Sequence, residues 1–180
     1  MFGDVYMLKS IAIIGTLGAL AACGGTSIPI NEISSGAPVV STMGGGGGGT
    51  PSTSNRDQSF ATILNNMRIG NGSNAVRYDS RLDAAAQGHA DDMVANGYFS
   101  HTSQNGDEVY DRIVAEGYNP IAYGENIAGG QQSEQDALDA WENSRPHNTM
   151  MNAGSLEEFG LGVAGSGGDV RWVLILATEG

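Results

Sequence analysis

Apolar residues recur at intervals of three and four positions in the last two-thirds of the chain, and this spacing predicts several amphipathic helices. The first contains Phe60, Ile63, Leu64 and Met67 and ends at Gly70. Further helices are predicted over residues 80–96 and 108–116, and from residue 133 onward. Pro146 cannot continue the last of these helices, but it suits the first turn of a short new one.

Two pairs of polar residues indicate where helices begin. Ser80 precedes Asp83 by three positions, and Ser133 precedes Asp136 by the same spacing, as in a capping box. We therefore expect the second and fourth helices to begin at these two serines.

Strand patterns come late in the chain. Residues 123–128 form a short segment flanked by glycine, and residues 158–165 alternate apolar residues with glycines. Residues 170–178 are apolar at both odd and even positions, which predicts a strand that is buried on both faces. Such a strand needs helices above and below it. Helices followed by hairpin-linked strands predict an α+β domain.

The N-terminal segment has the features of a secretion signal. Residues 11–22 form an apolar run of twelve behind Lys9, too short for a spanning helix, which needs about 20 apolar residues. The run ends in Leu20-Ala21-Ala22-Cys23, which resembles the lipobox of bacterial lipoproteins. We therefore expect residues 1–22 to be a signal peptide and Cys23 to be lipidated, which would anchor the protein to a membrane. A small buried thiol is the alternative for this cysteine, although its neighbours do not resemble a protein core.

Residues 23–55 are rich in glycine, serine and threonine and include six consecutive glycines. This composition predicts a flexible tether, which would span on the order of 30 Å as a random coil. A phosphate-binding glycine loop is excluded because no strand precedes the run and no Gly-Lys-Ser/Thr follows it. The folded domain is then expected over residues 56–180.

The charge of the chain restricts its partners. Lysine and arginine total 8 against 20 aspartate and glutamate, which gives a net charge of −12. Such a surface repels phosphate backbones and anionic lipid head groups, so we expect no binding to nucleic acid. Because Cys23 is the only cysteine, the mature protein would hold no internal disulfide.

Three short polar segments in the second half of the chain contain the candidate functional residues. They are Phe99-Ser100-His101, Gly124-Glu125-Asn126, and Trp141 followed by Ser144-Arg145-Pro146-His147. Together with the segment 84–93, Ala-Ala-Ala-Gln-Gly-His-Ala-Asp-Asp-Met, they resemble the CAP superfamily (SCP-like), in its bacterial branch, over residues 57 to 178. The resemblance implies a three-layer α-β-α sandwich around a small antiparallel sheet.

The resemblance also implies a site. Many members of the superfamily have two histidines and two glutamates in a cleft, where the histidines can bind a divalent metal. By motif, these positions correspond here to His101, Glu125 and His147. Many eukaryotic relatives place the second glutamate three residues after the helix tryptophan, where this chain has Ser144, so Glu142 is only a candidate. Two imidazoles would bind zinc or copper weakly, because a tight structural zinc site has four protein ligands.

Structural roles for the same residues remain open. His101 could be a loop histidine bonded to the backbone, and Glu125 could be a buried carboxylate bonded to backbone amides. The helix N-terminus near His147 is expected to disfavour its protonated form. His89 shares an apolar helix face with Met93 and is expected to be a core residue.

The sequence is therefore compatible with three alternative functions. The first is a lipid-anchored, extracytoplasmic binding module at the periplasm, outer membrane or cell surface, whose cleft holds a small ligand, a lipid or a cell-wall fragment. The second is a metal-assisted hydrolase or peptidase in which Glu125 is the base. The third is a scaffold whose polar cleft only stabilises the fold. A serine hydrolase is disfavoured because no Gly-x-Ser-x-Gly motif occurs.

Overall fold

The computed structural model describes residues 55–180. The predicted signal peptide, the lipidation site Cys23 and the predicted tether lie outside the described residues, except for Asn55 at the end of the tether. Within the described part, no helix has the length and apolar character needed to cross a membrane.

Residues 55–180 form five α-helices and four strands. The helices are α1 (Asn55–Gly70), α2 (Ser80–Asn96), α3 (Val109–Ala115), α4 (Glu134–Glu142) and α5 (Arg145–Met151). The strands are β1 (Arg77–Tyr78), β2 (Pro120–Gly129), β3 (Glu158–Ala164) and β4 (Arg171–Glu179). The predicted α+β fold is confirmed.

The sheet has the strand order β1-β3-β4-β2. The three long strands are antiparallel, as expected, but β1 pairs with β3 in parallel, so the sheet is mixed. The sequence did not predict β1 because a segment of two residues is too short to show a two-residue period. Strand β2 was predicted over 123–128 and extends further at both ends.

Strand β4 separates two hydrophobic cores, which makes the domain three layers. Its Trp172, Leu174 and Leu176 pack into the core that α1, α4 and α5 cover. Val173 and Ile175 pack into the opposite core, under α2 and α3. The prediction that this strand is buried on both faces is thereby confirmed.

Helix α2 lies directly on the backbone of β3. A Cβ atom built on Gly160 would lie 2.1 Å from the amide nitrogen of Asp83, and one on Gly162 would lie 2.3 Å from the carbonyl carbon of Ala86. The side chain of Gln87 adds two hydrogen bonds to the main chain of Val163, at 2.9 and 3.1 Å. This close packing holds the first half of α2 against β3.

The predicted capping residue is confirmed for α4 but not for α2. Ser133 caps α4 by accepting from the amide of Asp136 at 3.1 Å, as predicted. Helix α2 begins at Ser80, but its cap is Asp79, whose carboxylate accepts from the amides of Arg81 and Leu82. The predicted role of Ser80 as the cap was therefore wrong, because Asp79 is the residue with extended backbone angles.

Candidate functional site

Glu125 is the central residue of the candidate site. It projects from β2 with a side chain that is only 2% exposed. Its Oε1 lies 2.8 Å from Nδ1 of His101, and its Oε2 accepts a hydrogen bond of 2.7 Å from Arg112. Both carboxylate oxygens are thus engaged by side chains from elsewhere in the chain.

Arg112 connects the elements of the site. It projects from α3, and its side chain is 9% exposed. Besides Glu125, its guanidinium donates to the carbonyl oxygens of His101 and Asp107, at 3.1 and 3.0 Å, and to the hydroxyl of Ser103 at 3.1 Å. One arginine therefore holds the 101–107 loop against the carboxylate of β2.

The sequence reasoning missed Arg112. Arg112 is the one basic residue in the segment 107–116, where Glu108 and Glu116 lie four positions before and after it. This spacing indicates local ion pairs on a helix surface, so it does not predict the buried pair with Glu125.

His101 is the exposed member of the site. Its side chain is 52% exposed, and its Nδ1 faces the carboxylate of Glu125. A carboxylate only accepts hydrogen bonds, so Nδ1 carries the proton and the neutral imidazole has its lone pair on Nε2. His101 is therefore oriented by a carboxylate and can offer Nε2 as a base or a metal ligand.

His147 lies in α5, where Asn126 donates a 3.2 Å hydrogen bond to its backbone carbonyl. Burial lowers the pKa of His147, and electrostatic interaction with His101 lowers this pKa further. The direction agrees with the expectation from the sequence, and burial is its largest cause.

The imidazole of His147 lacks one hydrogen-bond partner among the described residues. Its Nδ1 is buried and has no hydrogen-bond partner. A ligand histidine that binds through Nε2 normally donates its Nδ1–H to an acceptor, which fixes the ring. In the described residues that acceptor is missing for His147, so its ring is poorly prepared for tight metal binding.

The remaining candidates are Glu142 and Ser144. Glu142 is an exposed residue at the end of α4, and its backbone carbonyl accepts from Asn148 at 2.8 Å. Ser144 is the residue before α5 and is half-buried. Within the described residues, no hydrogen bond or ion pair joins the carboxylate of Glu142 to His101, Glu125 or His147.

A divalent metal fits this arrangement only as a weakly bound ion. Among the described residues, no group of three or more histidine, cysteine, aspartate or glutamate side chains could hold a metal. Glu125 is already bonded to Arg112 and His101, so His101 and His147 are the candidate ligands that remain. Water would complete the coordination of any ion bound there.

His89 supports the loop that carries His101. It is 1% exposed, as predicted for a core residue, and its Nε2 lies 2.8 Å from the carbonyl oxygen of Ser100. Its Nδ1 lies 3.3 Å from the hydroxyl of Ser103. Burial is the largest influence on His89 and lowers its pKa, so the ring is neutral at neutral pH.

Beside His89 is a cavity of about 400 Å³ between α2, the 103–107 loop and α3. Small residues of α2, Ala84, Ala85 and Gly88, form part of its wall. His101, Glu125 and His147 are not among the residues that line it. Arg112 belongs to both places, because it lines this cavity and also binds Glu125.

Comparison with known proteins agrees with this fold. The protein YkwD of Bacillus subtilis (strain 168) is 28% identical over 116 residues, which are 64% of this chain and 45% of YkwD. An extracellular protein containing a SCP domain from Bacillus anthracis str. Ames has a TM-score of 0.63 and 26% identity, over 68% of this chain and 40% of that chain. An outer surface protein from Borrelia burgdorferi has a TM-score of 0.61 at 18% identity, over 68% and 92% of the two chains, and shares the fold.

The chain thus spans less than half the length of YkwD and of the Bacillus anthracis protein. A family model described as the cysteine-rich secretory protein family, CAP, matches residues 62–176, most of the domain described above. The chain belongs to the CAP family, in its bacterial branch.

Proposed function

We propose that this protein is an extracytoplasmic binding module whose ligand is recognised at His101, Glu125 and His147. The observation that carries the proposal is the pairing of a 52% exposed imidazole with a carboxylate that is only 2% exposed. Burying a carboxylate is costly unless it is paired, and here the pairing orients a side chain that faces solvent. An extracellular relative supports the location outside the cytoplasm.

The ligand classes that suit the site are a small molecule, a lipid or a cell-wall fragment. The acidic surface favours neutral or cationic groups over anionic ones. His147 supplies a neutral imidazole near neutral pH because its pKa is lowered, so the site does not present two cationic histidines. Neutral imidazoles bind divalent metals and also hydrogen-bond to polar ligands.

A divalent metal, zinc or copper, is proposed as an optional and weakly held component. His101 is suited to it because Glu125 fixes its tautomer and leaves Nε2 accessible. His147 is less suited because its Nδ1 has no acceptor in the described structure. The expected affinity is therefore lower than that of a structural zinc site.

Calorimetric titration with zinc tests this site. The protein used is the full chain with Cys23→Ser, which also removes the only thiol. We expect a Kd on the order of micromolar or weaker, lost in both His101→Ala and His147→Ala at an unchanged melting temperature. Glu157→Gln, which removes one exposed acidic charge, is the control for binding to the general acidic surface and should titrate like the parent protein. Identical zinc uptake by the parent and the double histidine variant would refute the metal site.

We also propose that acyl chains on Cys23 anchor the domain to a membrane. The support is the sequence Leu20-Ala21-Ala22-Cys23 behind an apolar run, and more than one acyl chain is enough for stable anchoring. Labelled fatty acid should enter the wild-type protein, and Cys23→Ser should move the protein from the membrane fraction to the soluble fraction. A wild type that never takes up the label would contradict the anchor.

A metal-assisted hydrolase or peptidase of the cell envelope is the alternative function. The orientation of His101 favours it, because an imidazole held by a carboxylate is a common general base. The base role predicted for Glu125 is harder to reconcile with the structure, since both of its oxygens are engaged and its side chain is buried. Hydrolysis of peptide, ester or wall-fragment libraries that is lost in His101→Ala, with folding unchanged, would favour this alternative.

A further inference from the structure

Strand β2 lies at one end of the four-stranded sheet in the described residues. It is ten residues long, and among residues 55–180 it pairs only with β4. An edge strand presents unpaired N–H and C=O groups and can accept another strand. Proteins often protect such edges with lysine, but no described residue is a lysine, since Lys9 is the only one in the chain.

Different features hinder the pairing of another strand at the two ends of β2. At its start, Pro120 lacks an N–H group and the register with β4 is irregular between Pro120 and Ala122. Towards its end, the carbonyl oxygen of Ile127 accepts a 3.1 Å hydrogen bond from the indole of Trp141. The segment between these points, residues 121–125, remains as the accessible part of the edge.

The main chain of this segment reaches solvent at Glu125. Glu125 as a residue is partly exposed, although its side chain is only 2% exposed. Most of the exposed area of Glu125 is therefore backbone. A strand added here would pair with backbone groups directly beside the bonded carboxylate and His101.

Exposed apolar side chains border the same segment. Ile121 is 72% exposed and Tyr123 is 46% exposed. Tyr110 of α3 lies against Tyr123, with ring centroids 5.7 Å apart, and Val114 is one helical turn further along α3. We call these four residues the β2 strip. They provide apolar contacts for alternate side chains of a strand that pairs with β2.

The charges around the β2 strip indicate which kind of peptide would bind there. Helix α3 and its flanks carry Glu108, Asp111 and Glu116, all exposed. Arg112 is the cation of this helix, and it is buried and paired with Glu125. The surface beside the strip is therefore acidic, which favours lysine or arginine in the partner.

We propose that an extended peptide with alternating basic and apolar residues binds by adding a strand to the free edge of β2 at residues 121–125. Its apolar side chains contact the β2 strip, and its basic side chains lie near the acids of α3. The peptide then passes beside His101. Binding of this kind requires no metal, so it can fail or succeed independently of the zinc titration above.

An acetylated octapeptide of alternating lysine and valine is the probe. We expect amide resonances of residues 121–125 and of Tyr110 to shift on titration into the isotope-labelled Cys23→Ser chain, with a Kd below about 1 mM. The same peptide N-methylated at its central amides, which removes donors from both of its edges, should bind at least about tenfold more weakly. A glutamate–valine peptide should also bind at least about tenfold more weakly.

The variant Tyr123→Ser should weaken binding at least about fivefold because it shortens the apolar strip. Ile69→Ser is the matched control, since Ile69 is another exposed apolar residue, at 60%, but lies on α1. Absence of shifts with the lysine–valine peptide would overturn the proposal, as would equal binding of the N-methylated or glutamate peptide. Concentration-dependent shifts at residues 121–125 without peptide would also overturn it, because a second copy of the chain would then occupy the edge.

Discussion

Gly162→Ala is expected to destabilise the domain by more than about 3 kcal/mol. The added methyl group would lie 2.3 Å from both the carbonyl carbon and the carbonyl oxygen of Ala86 in α2. These are backbone atoms of a packed helix, so no side-chain rotation relieves the contact. Overpacking usually costs about 1–3 kcal/mol, and separating a helix from a strand should exceed this range. Since a domain of this size is stable by roughly 5–15 kcal/mol, such a loss is a large part of the total.

Urea unfolding followed by circular dichroism measures this effect. Gly160→Ala should behave like Gly162→Ala, because its Cβ would lie 2.1 Å from the amide nitrogen of Asp83. Gly154→Ala is the matched control, since nothing lies within 4 Å of a Cβ at that position. We expect this control to change the free energy of unfolding by less than about 0.5 kcal/mol. Equal stability of all three variants would contradict the described packing of α2 on β3.

Arg112→Met is expected to destabilise the domain by about 3–5 kcal/mol, because it leaves the buried carboxylate of Glu125 without its cation. The side chains of this pair are 9% and 2% exposed, so water cannot replace the lost partner without rearrangement. The same change also removes the donors to the carbonyl oxygens of His101 and Asp107. The 101–107 loop should therefore become more mobile in this variant.

Two controls separate the buried charge from other effects. Glu125→Leu combined with Arg112→Met should recover much of the stability, because the double variant buries no isolated charge. Arg77→Met removes a cation from an exposed pair with Glu158, where the arginine side chain is 74% exposed. We expect it to cost less than about 1 kcal/mol. A cost for Arg112→Met that equals that of Arg77→Met would contradict the importance of the buried pair.

The sequence predicted best those elements whose pattern is local. The spacing of Phe60, Ile63 and Leu64 predicted α1, and the two-sided apolar run predicted β4, because periodicity reports which faces are buried. Ser133 was also identified correctly as a cap. The cap of α2 was assigned one residue late, since Asp79 and Ser80 are both good capping residues and only backbone angles distinguish them.

The candidate site was less accessible to sequence reasoning. The family resemblance identified His101, Glu125 and His147, but not the contacts that hold them. Arg112 bonds to groups on β2 and on the preceding loop, and neither periodicity nor a short motif reports such distant partners. The missing partner of His147 Nδ1 is likewise a property of the packed structure.

The central claim is that Glu125, held by Arg112, orients His101 with its proton on Nδ1. Long-range nitrogen–proton correlation spectra of the imidazole groups test it most directly, because they distinguish the two neutral tautomers. For the neutral imidazole of His101, the account predicts the Nδ1–H tautomer in the Cys23→Ser chain. It predicts loss of that preference in the double variant Glu125→Leu with Arg112→Met, which buries no isolated charge. An Nε2–H tautomer in the parent chain, or the same tautomer mixture in both proteins, would contradict it.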